Sequence, residues 1–417
     1  MRTQVSSSSC GGRRGATLLA LTASLCADIG LAQSPSLKTI YNFPGGSVSG
    51  GLPEARLTLG PSGSLFGTTQ GGESPGIGSI FRLIPPAGSG EPWAENVLET
   101  LVPSPTAVTP EGGSLYGASS TGGNVGAGTI NMLSPPSTDG SPWTATTVYS
   151  FVGGSDGLEP SQPIFVSGNL FGTTILGGGT TNAGTIYELI PPTDGSTSWT
   201  EAILHRFTGA PSDGEDPNGP LAAGPGGILY GTTAVGGTSN VGTAFSLSPP
   251  AQPGGEWTET IINNFPPASA QPSVALTLGK NGTLYGTSGA MESEHNGTVF
   301  ALFPPSQPGG AWTLHTLHSF SGEPDGSRPE GQLVIGANGA LFGTTYKGGA
   351  SNKGCVFELS PPSEAGGAWT ETILHSFSGP DGRDPLSGLT LGSNGVLFGT
   401  ASAGGTSGNG TVFELVP

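Results

Sequence analysis

An internal repeat, present seven times, constrains the fold of this 417-residue chain more than any other sequence feature. The motif Leu-Phe/Tyr-Gly recurs every 50 to 59 residues and begins at Leu65, Leu115, Leu170, Leu229, Leu284, Leu341 and Leu397. Each copy contains short apolar segments, which the last two copies spell as "GLTLGSNG", "VLFGTA", "TVFEL" and "WTETILHSF". Because glycine, Asn-Gly and proline turns separate them, these segments predict a small antiparallel sheet of four strands per copy.

Four-stranded repeats of this kind are typical of β-propeller blades. A single blade cannot bury both of its faces, so neighbouring blades must cover each other around a central channel. The 75 glycines and 38 prolines of the chain suit a fold with this many turns. We therefore predict an all-β, seven-bladed β-propeller with four-stranded blades.

The two ends of the chain complement each other. In six copies a tryptophan opens the fourth segment, at Trp93, Trp143, Trp199, Trp257, Trp312 and Trp369. The seventh copy stops at Pro417 after its third segment, and "SLKTIYNF" at residues 36–43 matches the missing fourth one. We expect this N-terminal strand to pair with the C-terminal blade, which closes the ring and leaves no unpaired sheet edge.

Residues 1–32 have the pattern of a secretory signal peptide. Arginines come early, the stretch from Ala16 to Ala27 is uncharged and mostly apolar, and small residues stand at Gly30 and Ala32. Residues 33–417 are then a single propeller domain. We expect a secreted or periplasmic protein, with association with the cell surface as an alternative and no membrane insertion after removal of the signal peptide.

The formal net charge of −17 disfavours nucleic acid as a partner, because like charges repel. Neutral, cationic or calcium-bridged partners remain open, and a monomer is expected. Two of the three cysteines, Cys10 and Cys26, lie in the predicted leader. Cys355 therefore has no disulfide partner in the mature chain and is predicted to be a small buried strand residue.

The pattern LFGTT…GG…GTVFELSPP…WTETILHSF, followed by Asp-Gly and proline, resembles the GloVer repeat of bacterial exported tandem-repeat proteins. The resemblance covers essentially the whole chain after the leader and rests on seven in-phase copies. It implies export, a propeller architecture and no assigned enzymatic activity. The order of Gly-Gly, aromatic residue and tryptophan is also weakly similar to kelch blades.

Aspartates in the loops between blades are the candidate site residues. In an up-and-down blade these loops emerge on the same face as the Gly-Gly loops between the second and third strands. The candidate rim carboxylates are Asp156, Asp213, Asp216, Asp325, Asp381 and Asp384. Asp-Gly followed by proline is ordinary turn chemistry. The alternative is a rim that binds calcium or a cationic or hydroxylated ligand.

The histidines do not suggest a catalytic site. His205, His318 and His375 hold one equivalent position in three copies, so they lie blades apart and are expected to be structural. In the fifth copy, Glu292 and His295 replace the Gly-rich loop together with Glu294. This loop could ligate a metal, or it is a solvated loop that has drifted in sequence.

These features predict an exported, non-catalytic propeller that binds a glycan or a protein through the rim of Gly-Gly and Asp-Gly loops. No cofactor is predicted apart from the calcium alternative. The rival hypothesis is a hydrolase or lyase with its site at the channel mouth, to which His295, Glu292 and Asp216 would contribute. A third hypothesis is a purely structural surface protein.

Overall fold

Each copy of the repeat folds into one antiparallel sheet, and the predicted seven-bladed β-propeller is confirmed. The computed structural model describes residues 34–46, 50–71, 77–88, 90–137, 142–193, 198–252, 254–267, 271–272, 275–289, 296–307, 309–364 and 366–417. Residues Pro35–Pro417 form one compact unit. The predicted signal peptide and the loop with Glu292, Glu294 and His295 lie outside the described residues.

The strands of a blade follow one another outwards from the channel. Blade 1 has Thr58–Leu59, Leu65–Thr69, Ile77–Ile84 and Ala94–Pro103, and blade 2 has Thr109–Glu111, Ser114–Ser119, Thr129–Ser134 and Thr144–Ser150. Blade 3 has a divided first strand, Leu158–Pro160 and Ile164–Val166, then Asn169–Leu176, Thr185–Ile190 and Thr200–Arg206. Blade 4 has Ala222–Ala223, Leu229–Thr233, Thr243–Ser248 and Thr258–Asn264. Blade 5 has Thr277–Leu278, Leu284–Ser288, Thr298–Phe303 and Thr313–Ser319.

Blade 6 has Val334–Ile335, Leu341–Thr345, Cys355–Ser360 and Thr370–Ser376. Blade 7 has Thr390–Leu391, Leu397–Ala401, Thr411–Val416 and, as its outer strand, Ser36–Asn42. The helices of the described chain are four short 3-10 turns between first and second strands, at Pro61–Gly63, Pro225–Gly227, Lys280–Gly282 and Ser393–Gly395. Cys355 is fully buried in its strand, as predicted.

The two chain ends close the ring as predicted. Ser36–Asn42 pairs antiparallel with Thr411–Val416, from Ser36 opposite Val416 to Asn42 opposite Thr411. The next residue, Phe43, is completely buried. The N-terminal strand therefore completes blade 7 and places a core side chain against blade 1.

Aromatic rings fill the interfaces between blades. The residue after a fourth strand packs edge to face on a ring from the third strand of the next blade, with centroids 5.1 to 5.3 Å apart. The six pairs are Phe43–Phe81, Phe151–Tyr187, Phe207–Phe245, Phe265–Phe300, Phe320–Phe357 and Phe377–Phe413. These buried rings explain why both positions are aromatic in most copies.

The glycine of the Leu-Phe/Tyr-Gly motif leaves room for the third-strand ring. A methyl group added at Gly67 would come within 2.5 Å of Phe81, and one at Gly231 within 2.4 Å of Phe245. Real Cβ atoms do not come this close to other atoms, so a side chain at either glycine would force the ring away. The repeated glycine is therefore a packing requirement of the blade.

The repeated tryptophan completes the outer part of six of the seven interfaces. It packs on the aromatic residue of the motif in the preceding blade, with centroids 5.7 to 6.1 Å apart. In blade 7 the corresponding position of the N-terminal segment holds Pro35 instead. Motif and tryptophan are thus two halves of one contact between successive blades.

Deletion of residues 36–43 is expected to destabilise the protein strongly and to promote aggregation, because it leaves the edge of Thr411–Val416 unpaired. Thermal unfolding and size-exclusion chromatography measure the two effects. The milder variant Phe43→Ala keeps the strand and is expected to lower the free energy of unfolding by about 3–5 kcal/mol. A deletion variant that stays monomeric with an unchanged unfolding midpoint would contradict the closure.

Candidate functional site

One face of the propeller carries both the loops between blades and the loops between second and third strands. Gly214–Glu215 pairs with Val235–Gly236, and Gly326–Ser327 pairs with Lys347–Gly348. Gly51 and Gly71 form an equivalent bridge in blade 1. The shared rim expected from up-and-down connectivity is therefore present, and its two kinds of loop are hydrogen-bonded to each other.

In four of the six predicted rim aspartates, the carboxylate accepts a hydrogen bond from the backbone of its own loop. They are Asp156, Asp213, Asp325 and Asp381. Backbone N–H groups a few residues upstream donate to them at 2.7 to 2.9 Å, from Val152, Thr208, Ser321 and Ser378. This is the geometry of turn-stabilising aspartates. Their predicted role in ligand binding stays a prediction.

The same four aspartates contact a side chain near the end of the preceding fourth strand. The contacts are Tyr149–Asp156 at 3.3 Å, His205–Asp213 at 3.2 Å, His318–Asp325 at 3.6 Å and His375–Asp381 at 2.7 Å. Burial acts to raise the pKa of Asp213, but hydrogen bonds from His205 and from backbone N–H groups outweigh it, so this pKa lies below its usual value. The three equivalent histidines thus lie blades apart, as the sequence predicted.

A glutamate from the next blade completes three of these clusters. The clusters are Tyr149–Asp156–Glu201, His205–Asp213–Glu259 and His318–Asp325–Glu371. In the two histidine clusters, one donor atom of each residue lies within 4.8 Å of the others. Burial raises the pKa of Glu259 and Glu371 to about 7, and the neighbouring aspartate contributes. Each histidine cluster can store a proton near neutral pH, or hold a small cation through one imidazole nitrogen and two carboxylate oxygens.

Asp216 and Asp384 hold a different position, directly before the proline that leads into the first strand. Both have left-handed backbone conformations, with φ of 56° and 58°. Asp384 is 5% exposed and accepts from Lys347 at 2.6 Å and Arg383 at 2.7 Å. Burial raises the pKa of Asp216, with Glu215 and Glu159 adding to it. The six predicted aspartates therefore form two separate sets.

Residues from all seven blades meet at the mouth of the central channel on this face. They follow the loop prolines, in a short pattern Pro-x-x-x-Leu/Ile that six blades share and that blade 2 replaces by Pro105-x-x-Val108, and the prolines and leucines of this pattern are buried. The unlike triplets between them line a cavity of about 340 Å³. Its polar lining includes Glu54, Arg56, Gln70, Thr106, Ser161, Gln162, Asn218, Glu330, Gln332 and Ser387.

Hydrogen bonds and charge preorganise one side of this mouth. Arg56 Nη1 of blade 1 donates to Gln332 Oε1 of blade 6 at 2.7 Å. Gln332 Nε2 donates to the carbonyl of Leu276 at 3.3 Å. Enclosure by the channel walls raises the pKa of Glu54, and the Glu330 carboxylate raises it further. The Glu54 carboxylate and the Arg56 guanidinium of blade 1 thus lie with the Glu330 carboxylate of blade 6 in a partly desolvated site.

Sequence reasoning identified the rim, named the channel mouth only as the site of the rival hypothesis, and missed the residues that line it. No residue type recurs through all of these segments, although Glu54 and Glu330 hold the same position in two of them, so no motif marks them. A usable signal was present: in six copies, three positions between the repeated proline and the repeated leucine or isoleucine differ from copy to copy. In a closed ring, equivalent positions beside the axis converge, and the variable ones form a non-repeating lining there.

The fold and the channel define a repeat-built β-propeller. The family model of the Gloeobacter/Verrucomicrobia repeat matches residues 103–315 and 251–417, and the chain belongs to this family. A comparison with curated proteins returned no match. The GloVer resemblance seen in the sequence is therefore confirmed.

Among solved structures, an ulvan lyase of a polysaccharide lyase family is similar at 11% identity and a TM-score of 0.54, covering 90% of this chain and 95% of its own. A glucose dehydrogenase-type oxidoreductase of Thermus thermophilus has 14% identity, a TM-score of 0.43 and coverages of 92% and 100%. At these identities the likeness shows the fold alone. Within the described residues, no helix is long and apolar enough to cross a membrane.

Replacing Glu201 by glutamine is expected to change the pH dependence of stability. Burial first, and Asp156 second, raise the pKa of Glu201 to about 8, so the folded state favours its protonated form. Its contribution to stability is complete below about pH 4.5 and is lost as the pH rises through about 8. Glu201→Gln should therefore gain in unfolding midpoint over wild type between pH 5 and 8, as followed by thermal melting. The exposed loop variant Glu364→Gln is the control, and an equal gain at both pH values would contradict the prediction.

Calcium is expected to leave the unfolding midpoint unchanged. The four loop carboxylates already accept backbone N–H groups, and a bound cation would stabilise the folded state by mass action. Thermal melting of chelator-treated protein, with and without added calcium, measures this directly. A midpoint that rises with calcium concentration would instead favour the rim as a calcium site.

Proposed function

We propose that the chain is an exported, non-catalytic propeller that binds a glycan at the mouth of its central channel. The observation that carries the proposal is the convergence of described residues from all seven blades, six of which contribute unlike polar side chains, on one cavity of about 340 Å³. The repeated residues of the chain build blades and turns. The unrepeated ones meet beside the axis, where a single ligand can contact several blades at once.

The chemistry of the lining suits a polyhydroxylated ligand. Arginine, glutamine and asparagine side chains offer paired donors and acceptors, and carboxylates accept hydrogen bonds from hydroxyl groups. Arg56 and Gln332 are held by their mutual hydrogen bond, which lowers the entropy lost on binding. A cavity of this volume is within the range of small-ligand sites. The Asp-Gly loops would then support the rim, while the channel mouth supplies the contacts.

Binding is tested with soluble oligosaccharides of cellulose, chitin, starch and pectin by isothermal titration calorimetry. We expect saturable binding of at least one of them, weakened about tenfold or more by Arg56→Ala, because a charge-assisted hydrogen bond is lost. Lys280→Ala is the matched control, since Lys280 lies in a turn between first and second strands, on the opposite face. Binding that survives Arg56→Ala unchanged would place the ligand elsewhere.

A second candidate function is hydrolysis or elimination on a bound glycan at the same mouth. The Glu54 carboxyl favours it, because its raised pKa beside Glu330 suits a general acid. In that case Glu54→Gln abolishes release of new sugar ends and leaves oligosaccharide binding intact. For the non-catalytic propeller we expect no release by wild type under conditions where binding is saturated.

The exported location is part of the proposal and rests on the pattern of residues 1–32. Expression of the full chain in a bacterial host, followed by fractionation, tests it. We expect the protein outside the cytoplasm and starting near Gln33. Recovery of the full-length chain in the cytoplasm would contradict the predicted leader.

A further inference from the structure

The interface between blades 1 and 2 departs from the pattern of the others. At the six interfaces with an aromatic pair, the third strand of the following blade contributes Phe or Tyr. In blade 2 this position is Asn131, opposite Gly117, as Phe357 is opposite Gly343 in blade 6. The residue after Thr100, which would supply the other ring, is Leu101 in the sequence. Both aromatic positions are thus changed at one interface.

The missing ring leaves open space above Gly117. A methyl group added there would meet Val108 at 3.4 Å as its nearest contact, whereas at Gly343 it would meet the Phe357 ring at 2.5 Å. A cavity of about 460 Å³ occupies this region. Buried apolar side chains line one side of it, namely Ile80, Val108, Leu115 and Leu133.

Polar groups line the other side. The Asn131 amide donates to Thr129 Oγ1 at 2.8 Å and accepts from Thr147 Oγ1 at 2.9 Å, which fixes its orientation. Glu99 stands where blade 4 carries Asn263 and the remaining five blades carry histidine or tyrosine, opposite Ile80 as His375 is opposite Val356. Both Asn131 and Glu99 are half-buried in the cavity wall.

Two further departures open this interface. Ala145 holds the position of Glu371, and it is exposed at the cavity edge. The loop between blades 1 and 2 has prolines at Pro103 and Pro105 and lacks the Asp-Gly turn. The Glu99 carboxylate therefore lies in the cavity wall without the two carboxylates found at the equivalent place in blade 5. There, Asp325 and Glu371 surround His318.

We propose that this cavity is a binding site for a small aromatic amine. The ring of the ligand takes the place of the missing third-strand ring, over Gly117 and against the apolar wall. Its ammonium group lies beside the Glu99 carboxylate at the polar edge, where opposite charge favours it. The site is separate from the channel mouth and does not depend on the glycan proposal.

Phenethylamine and its neutral analogue 2-phenylethanol are the probes, measured by ligand-observed NMR and calorimetry on the mature protein. We expect saturable binding of both, with the amine tighter. Asn131→Phe restores the ring found in the other blades and should weaken both probes at least about tenfold. Gly117→Ala, whose methyl group fits without a clash, narrows the cavity and should weaken both probes while keeping the fold.

Glu99→Gln tests the contribution of the negative charge separately from that of the cavity's shape. It should remove the preference for the amine and leave 2-phenylethanol binding unchanged. Arg56→Ala at the channel mouth should leave both probes unaffected, so failure of the glycan proposal does not affect this result. The proposal is overturned if wild type shows no saturable binding of either probe up to about 10 mM. It is also overturned if folded Asn131→Phe and Gly117→Ala both bind like wild type.

Discussion

Aromatic rings packed edge to face between neighbouring blades hold this propeller together. Each pair joins the end of one blade to the middle of the next, at a centroid distance of about 5 Å, and adds roughly 0.5–1.5 kcal/mol beyond the burial of its surface. The glycine beneath each ring follows from this contact, because a side chain there would collide with it. Because each blade depends on its neighbours, the ring needs the N-terminal strand that completes blade 7 and carries Phe43 to blade 1.

The same repetition gives the most noticeable polar residues a structural role within each loop. Asp213, Asp325 and Asp381 cap their own turns and contact a histidine from the preceding strand. Rotation about the propeller axis places the copies far apart, so no ligand atom can touch two histidines at once. Function in such a ring has to come from positions where copies converge or from copies that differ.

The fold could be predicted from the sequence because its determinants are local. Segments of about ten residues determine the strands and turns, and the repeat shows these segments seven times. The pairing of the two chain ends can be predicted because each end matches a segment of the same repeat. The channel mouth could not be predicted in the same way. Arg56 and Gln332 are 276 residues apart and meet only once the ring has closed. Sequence proximity groups Asp216 and Asp384 with the turn aspartates, yet their backbone conformations and partners differ.

The interface between blades 1 and 2 connects the stability of the ring with the proposed binding site. A propeller is close to a one-dimensional array in which each interface contributes its own share of stability, so we expect the interface that lacks the aromatic pair to contribute less than those that have it. We also expect local opening of the ring there, since sub-global unfolding begins where few apolar contacts must break. A ligand that fills the space over Gly117, as proposed, would supply the missing contact and stabilise the closed ring by mass action. Asn131 therefore connects two properties: it leaves a cavity large enough for a ring, and we expect the stability of this interface to depend on what occupies that cavity.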